Sequence, residues 1–211
     1  MLNPWNVELL SEVEADSQQK VNTILQLRLH PAIQGLMRKL NESGNDRRYS
    51  VDLTYTTARG KWYDYSWKGA VEKSGGIATN IGIHFFDCLI WLFGAVKEST
   101  VHLQDRRRAS GLLELENADV RWFLSINEED LPEATRAAGG RMHRLLSLDD
   151  EEVDFTSGFE DLHKESYARI FDGRGYGLED ALPSIEAVYT IRNRTPIGMK
   201  GDYHPLLMGL A

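Results

Sequence analysis

The sequence predicts an α+β fold, an open and mainly antiparallel sheet with helices on one face. Three observations predict it. Between residues 96 and 148 short alternating segments follow one another directly, as consecutive strands do. Segments with apolar residues at helical spacing flank that run on both sides. Tyr49–Thr57 sets Tyr49, Val51, Leu53 and Tyr55 against Ser50, Asp52, Thr54 and Thr56, the pattern of a sheet covered on one side.

Taken in order, Asn3 and Pro4 open a helix over Trp5 to Gln19, with Asn as cap, Pro at the first helical position and Glu8, Glu12 and Glu14 early in the helix. A capped helix at the very start reads as a cut made into a longer protein, so residues 1–20 are expected to be a boundary helix and 21–211 the main domain. Val21–Leu29 reads as a strand, with Gln26 and Arg28 on its polar face. His30-Pro31 ends it, and Ile33, Leu36, Met37 and Leu40 mark a helix running to a turn over 41–45. After Tyr49–Thr57, residues 59–74 read as an irregular loop rich in aromatic, Lys and Gly residues. Ile77–Phe93 is helical and stops at Gly94. Strands are expected at 96–104, 111–117, 119–126 and 141–148, with a short one at 151–155. Asn117-Ala118-Asp119 supplies a tight turn, and Asp149-Asp150-Glu151-Glu152 reads as a hairpin turn, not a calcium loop. Two helices follow, near 159–172 and 178–193, with Gly173 and Thr195-Pro196 as stops.

Composition narrows the function classes. The 211 residues carry a formal net charge of −8, which argues against a nucleic-acid groove. The one dense basic run, Arg106-Arg107-Arg108, reads as a solvated hairpin turn. No apolar stretch is expected to reach the roughly 18 residues that span a bilayer. The single cysteine, Cys88, lies in an apolar run and reads as buried in a reducing compartment. A soluble, cytoplasmic protein follows, and the remaining histidines lack metal-ligand spacing.

The stretch from Ser74 to Asp87 carries the most chemistry. Ser74-Gly75-Gly76 lets the chain come close to a ligand at a helix start. Asn80 and His84 are four residues apart and share a face, off the stripe of Ile77, Ile81, Phe85 and Leu89. Gly82 in mid-helix costs about 1 kcal/mol against Ala, so something is expected to pass close to the backbone there. His84 is placed to act as a general base, and equally to be a half-buried structural histidine.

Gly-Gly, three residues, Asn80, X, Gly82, X, His84, two residues, Asp87 resembles the signature helix of the glucose–fructose oxidoreductase/inositol dehydrogenase (Gfo/Idh/MocA) family. Asn3-Pro4-Trp5-Asn6 resembles the helix just after that family's Glu-Lys-Pro motif. Gln26-Leu27-Arg28-Leu29-His30-Pro31, Arg59–Tyr63 and Ser66–Gly69 resemble the subfamily that oxidises UDP-N-acetylglucosaminuronic acid at C3 in lipopolysaccharide sugar synthesis. The resemblance implies an NAD-dependent enzyme whose α+β C-terminal domain contacts substrate and forms oligomers. It implies His84 as base and Asn80 as the group positioning the C3 hydroxyl. Gln26, Arg28, Lys61, Tyr63, Trp67, Lys68 and Thr79 become substrate contacts, Arg28 for a carboxylate or phosphate, the 61–68 segment for a nucleotide sugar. For Arg28 a surface salt bridge is the alternative, and for the 61–68 segment a lid packed on the sheet.

Two departures matter. The wider family has Asp where this chain has Asn80, which removes one candidate proton acceptor. No Gly-X-Gly-X-X-Gly and no Glu-Lys-Pro lysine occur, so the N-terminal Rossmann domain is expected to be missing and the chain alone to bind no NAD. A substrate domain inactive by itself is the first reading. A non-catalytic oligomerisation or binding module, and a domain for a free sugar or inositol, are the others. A homo-oligomer through the open sheet face is expected in each case.

Overall fold

The computed structural model describes residues 1–43, 47–153, 155 and 157–210. Their order is α1 (Pro4–Ser17), α2 (Pro31–Ser43), β1 (Tyr49–Thr57), α3 (Trp62–Tyr65), α4 (Val71–Ser74), α5 (Ile83–Phe93), β2 (Val96–Gln104), β3 (Arg108–Leu115), β4 (Ala118–Ser125), α6 (Glu133–Ala137), β5 (Met142–Leu148), β6 (Glu151–Val153), α7 (Leu162–Phe171) and α8 (Leu178–Asn193). The turn expected over 41–45 lies partly outside the described residues, as does the end of the strand expected over 151–155.

One six-stranded sheet forms, in the order β2-β3-β4-β1-β5-β6. Four of its pairings are antiparallel; β1 and β4 run parallel, with Leu53 beside Trp122 and Tyr55 beside Leu124. The parallel pair arises because α5 and the β2–β3 hairpin intervene between β1 and β4. The β3–β4 turn closes at Glu116-Asn117, a residue or two before the expected place.

Alternation in β1 works as its sequence requires. Val51, Leu53 and Tyr55 are buried against helices, in a core with Ile33 and Leu36 of α2, Phe86 and Leu89 of α5, and Val188 and Ile191 of α8. Phe86 meets Trp122 edge-on at 5.2 Å, and both are fully buried. Each large side chain so buried contributes roughly 1.5–3 kcal/mol. Outside this layer α1 packs on α8 through Val7, Ala181 and Ile185, and Trp5 meets Tyr189 at 5.4 Å. The opposite sheet face is partly covered by the chain's own C-terminal segment. Ile197 donates to the Val101 carbonyl, and His204 sits on Thr54 and stacks on Phe123.

The strand expected over 21–29 is not formed. Thr23 makes one isolated bridge to Tyr176, and Gln26–Leu29 is a 3-10 turn. Leu27, Arg28 and Leu29 are all buried in succession, a demand that a one-sided strand cannot meet. The 59–74 segment is more regular than expected, built from α3, α4 and a 3-10 turn over Trp67–Gly69. Val71–Phe93 is, by length and hydropathy (1.4), apolar enough to cross a membrane, contrary to the sequence expectation. Of its most apolar 18-residue window 67% is buried inside the fold, as befits a segment that ends in the core helix α5.

Candidate functional site

Of the residues singled out in the sequence, Thr79, Asn80 and His84 lie at the start of α5, and Tyr63 is bonded to Asn80 there. Gly75 and Gly76 both take left-handed conformations that side chains resist, which turns the chain sharply out of α4. Ala78–Gly82 then forms a π-helical turn before α5 proper. Such one-residue expansions are frequent at functional sites because they re-aim the flanking side chains. A Cβ at Gly82 would stand 2.7 Å from both Leu124 and Phe86. The close approach expected at Gly82 is therefore to the sheet beneath.

Asn80 and Tyr63 come together, the Asn80 amide donating to the Tyr63 hydroxyl at 3.0 Å. Tyr63 is buried and Asn80 half-buried, so the bond ties the π turn to α3. Asp64, next along α3, pairs with Arg107 at 3.2 Å, and Arg107 also bonds Asn127. Arg108 pairs with Asp130 at 2.7 Å. The basic run is thus an anchor for the 61–68 segment and not simply a solvated turn. Within that segment Lys61 and Trp67 are exposed, and the Lys68 ammonium lies 5.9 Å from the Trp67 ring.

Thr79 is buried, its hydroxyl without a hydrogen-bond partner and its side chain packed toward the Gly75 turn. Gln26 is half-buried, and its amide oxygen is sealed from solvent without a partner.

His84, one turn beyond Asn80, borders a cavity of about 290 Å³ lined also by Asn22, Thr23, Leu25, Asp87 and Ser184. Its ring keeps solvent-exposed area, yet the protein packed around it and the nearby His163 hold its pKa below the usual histidine value. A neutral imidazole at physiological pH is the form that accepts a proton.

Arg28 is placed differently from the sequence expectation. It is 6% exposed, bonded to Asp87 through Nε at 3.0 Å and Nη2 at 2.7 Å, and to Asp180 at 3.3 Å. Tyr176 covers its face at 4.9 Å. Burial raises the Asp87 pKa and Arg28 pulls it back down, while burial works against the charge on Arg28, which Asp87 and Asp180 more than restore. The polar face that was to bring Gln26 and Arg28 into one site does not exist, because the strand does not. Asp87, three residues from His84, was visible in the motif, but its bond to Arg28 had no signal in spacing.

His30 is buried beside Phe155 and Phe159, with Nε2 2.6 Å from the Ser157 carbonyl. Burial raises the Cys88 thiol pKa far above its usual range. Among the described residues no three His, Cys, Asp or Glu side chains are grouped to hold a metal ion.

Comparison with known proteins follows the same lines. Residues 44–130 match the model of the oxidoreductase family's C-terminal alpha/beta domain (GFO_IDH_MocA_C). The WlbA (WbpB) dehydrogenase of Thermus thermophilus, solved in complex with NAD and alpha-ketoglutarate, superposes with a TM-score of 0.92 and 43% identity over 98% of this chain and 66% of that one. Its complex with NAD and UDP-GlcNAcA gives 0.91 at the same identity and coverage. The WlbA dehydrogenase of Bordetella pertussis, at 17% identity and a TM-score of 0.71, covering 95% of this chain and 70% of that one, shares the fold. This chain therefore spans 66% of the length of the Thermus enzyme. The chain belongs to the Gfo/Idh/MocA oxidoreductase family and carries that family's C-terminal α/β domain.

Proposed function

We propose that this chain is the substrate-binding domain of an NAD-dependent dehydrogenase that oxidises the C3 hydroxyl of a UDP-N-acetylhexosaminuronic acid in lipopolysaccharide sugar biosynthesis, in the cytoplasm. The observation that carries the reading is the arrangement at the start of α5. A histidine held neutral lies one turn from an amide fixed by Tyr63, on the rim of a cavity. The likeness to the Thermus dehydrogenase solved with NAD and UDP-GlcNAcA supports the substrate class.

In this reading His84 takes the proton from the C3 hydroxyl as that carbon is oxidised. Asn80, with one amide hydrogen committed to Tyr63, orients the hydroxyl through its remaining polar atoms. Trp67 and Lys68 offer a ring and a cation to the nucleotide half and Lys61 a second cation, while Gln26 and Thr79 keep unpaired polar atoms beneath the surface. NAD, when bound, accepts the hydride. These residues do not fit it: the sequence has no Gly-X-Gly-X-X-Gly, and the sheet has a single parallel pair where a dinucleotide fold has several. No step through NAD is assigned to them.

The sheet face away from the helices is the proposed homo-oligomer surface. It holds a cavity of about 520 Å³ between Thr54, Phe123, His143 and His204, and the segment over it exposes Met199, Leu206 and Met208. Light scattering is expected to give a dimer or tetramer; a clean monomer counts against this surface. The exposed apolar side chains on that segment favour a second reading, a binding or assembly module without turnover.

Calorimetric titration with UDP-N-acetylglucosaminuronic acid and, separately, NADH tests the proposal. Binding of the sugar nucleotide alone is the expected result. Binding of NADH alone contradicts it, and no binding of either favours the assembly module.

A further inference from the structure

With Arg28 committed to Asp87 and Asp180, the anion of an acidic sugar nucleotide needs another cation. Among the described residues, the half-buried arginines Arg107, Arg108, Arg121 and Arg169 each have a carboxylate within ion-pair distance. Arg192 donates to the Leu2 carbonyl and the Asn3 side chain. Two others have neither kind of partner, Arg59 and Arg144. Arg59 follows the end of β1 and turns its Nε into the protein, away from solvent. Arg144 stays half-open.

Arg144 lies in β5 directly opposite Tyr55, on the sheet face that carries α5. Its guanidinium carbon is 3.8 Å from the centre of the Phe159 ring and 5.7 Å from that of Tyr55. Ring contact engages the flat face of a guanidinium and leaves the in-plane N–H groups free for an anion. Tyr55 in turn meets Phe85, the residue after His84, at 4.9 Å. A cation with free donors therefore stands two ring contacts, Tyr55 and Phe85, from the turn of α5 that carries the proposed base, in a chain whose net charge is −8.

We propose that Arg144 binds the sugar carboxylate and makes the site selective for a uronic acid over the neutral sugar. This rests on the reading of the chain as a UDP-uronic acid domain. The carboxylate is carried on C5, two ring carbons from C3, so its reader and the base must sit near one another. β5 and α5 approach each other across β1, through Tyr55 and Phe85. A carboxylate accepts two parallel bonds from the guanidinium edge, which a primary hydroxyl cannot reproduce. A neutral sugar thus leaves half-buried donors unpaired, the arrangement that gives strong rejection.

The test is calorimetry on the full chain with UDP-N-acetylglucosaminuronic acid and with UDP-N-acetylglucosamine, for wild type, Arg144→Met and Arg144→Lys, each checked by thermal melting. The wild type is expected to prefer the acid by about 10- to 100-fold, the range for hydrogen bonds to charged groups. Arg144→Met is expected to remove the preference while leaving the neutral sugar's affinity within a few-fold. Arg144→Lys, with a point charge for a fork, is expected to keep only part of it, and it carries the test if the Met variant melts early. Equal loss for both ligands points to the diphosphate and overturns the proposal, as does a preference that survives both substitutions. If the wild type binds neither sugar, the reading of the chain as a nucleotide-sugar domain fails, and the role of Arg144 with it.

Discussion

Arg28 and Asp87 form a buried two-point ion pair, 2.7 and 3.0 Å long, and Asp87 lines the same cavity as His84, one helical turn away. The pair joins the 3-10 turn after Thr23 to α5, and Asp180 extends it to the start of α8, where its carboxylate also caps the Gly177 amide. Three separate stretches of chain are thereby held around one cavity.

Removing one partner leaves a buried charge uncompensated. Asp87→Asn and Arg28→Ala are each expected to destabilise the fold by about 3–5 kcal/mol, read from urea denaturation midpoints. A double variant costing much less than the sum of the two confirms the coupling. Losses under 1 kcal/mol for either single variant contradict the placement of Arg28.

Tyr63 holds Asn80 through one hydrogen bond. Tyr63→Phe keeps the buried ring and deletes the hydroxyl, so a stability loss of about 1 kcal/mol is expected. If the bond orients Asn80, the same variant weakens sugar-nucleotide affinity by calorimetry. Full affinity with lowered stability would leave Tyr63 a purely structural residue.

Gly82 separates propensity from packing. Helix propensity alone favours Gly82→Ala by about 1 kcal/mol. The Cβ would meet Leu124 and Phe86 at 2.7 Å, and overpacking of this kind costs about 1–3 kcal/mol. A net loss in thermal stability is the expected outcome; a gain would show that the sheet yields easily there.

His204 makes stability depend on pH. The Leu206 amide donates to its Nδ1 at 3.2 Å, which puts the ring proton on Nε2, 3.0 Å from the Thr54 hydroxyl oxygen. Burial lowers its pKa to about 4, Asp52 pulling upward and Arg121 downward. Between that value and the unfolded value of 6.5 the unfolded chain binds a proton that the folded one does not. The contribution is therefore full above pH 6.5 and is lost as pH falls toward 4, by up to about 3 kcal/mol. Denaturant midpoints from pH 4 to 7 should rise for the wild type and flatten for His204→Gln.

Much of the sheet was legible because alternation encodes it directly. β1, β2, β4 and β5 fall within a residue or so of their expected places, and Gly94 stops α5 as its position implies. The segment around Arg28 was not legible, since a period of two over nine residues also fits a buried 3-10 turn whose side chains point inward in succession. The parallel pairing of β1 with β4 depends on contacts far apart in sequence, which periodicity does not report. At the site, the Asn80 and His84 spacing showed which helix to examine. The π turn, the Tyr63 bond, the Asp64–Arg107 anchor and the unpaired Arg144 are long-range features and needed coordinates.

The location of the site is the central claim, and backbone amide NMR during titration with UDP-N-acetylglucosaminuronic acid tests it most directly. The expected result is a cluster of shifts at Tyr63, Asn80, His84 and Arg144, saturating together, with Thr54 and His204 on the opposite sheet face unmoved. Shifts confined to Thr54, Phe123 and His204 would contradict it and move the ligand to the other face of the sheet.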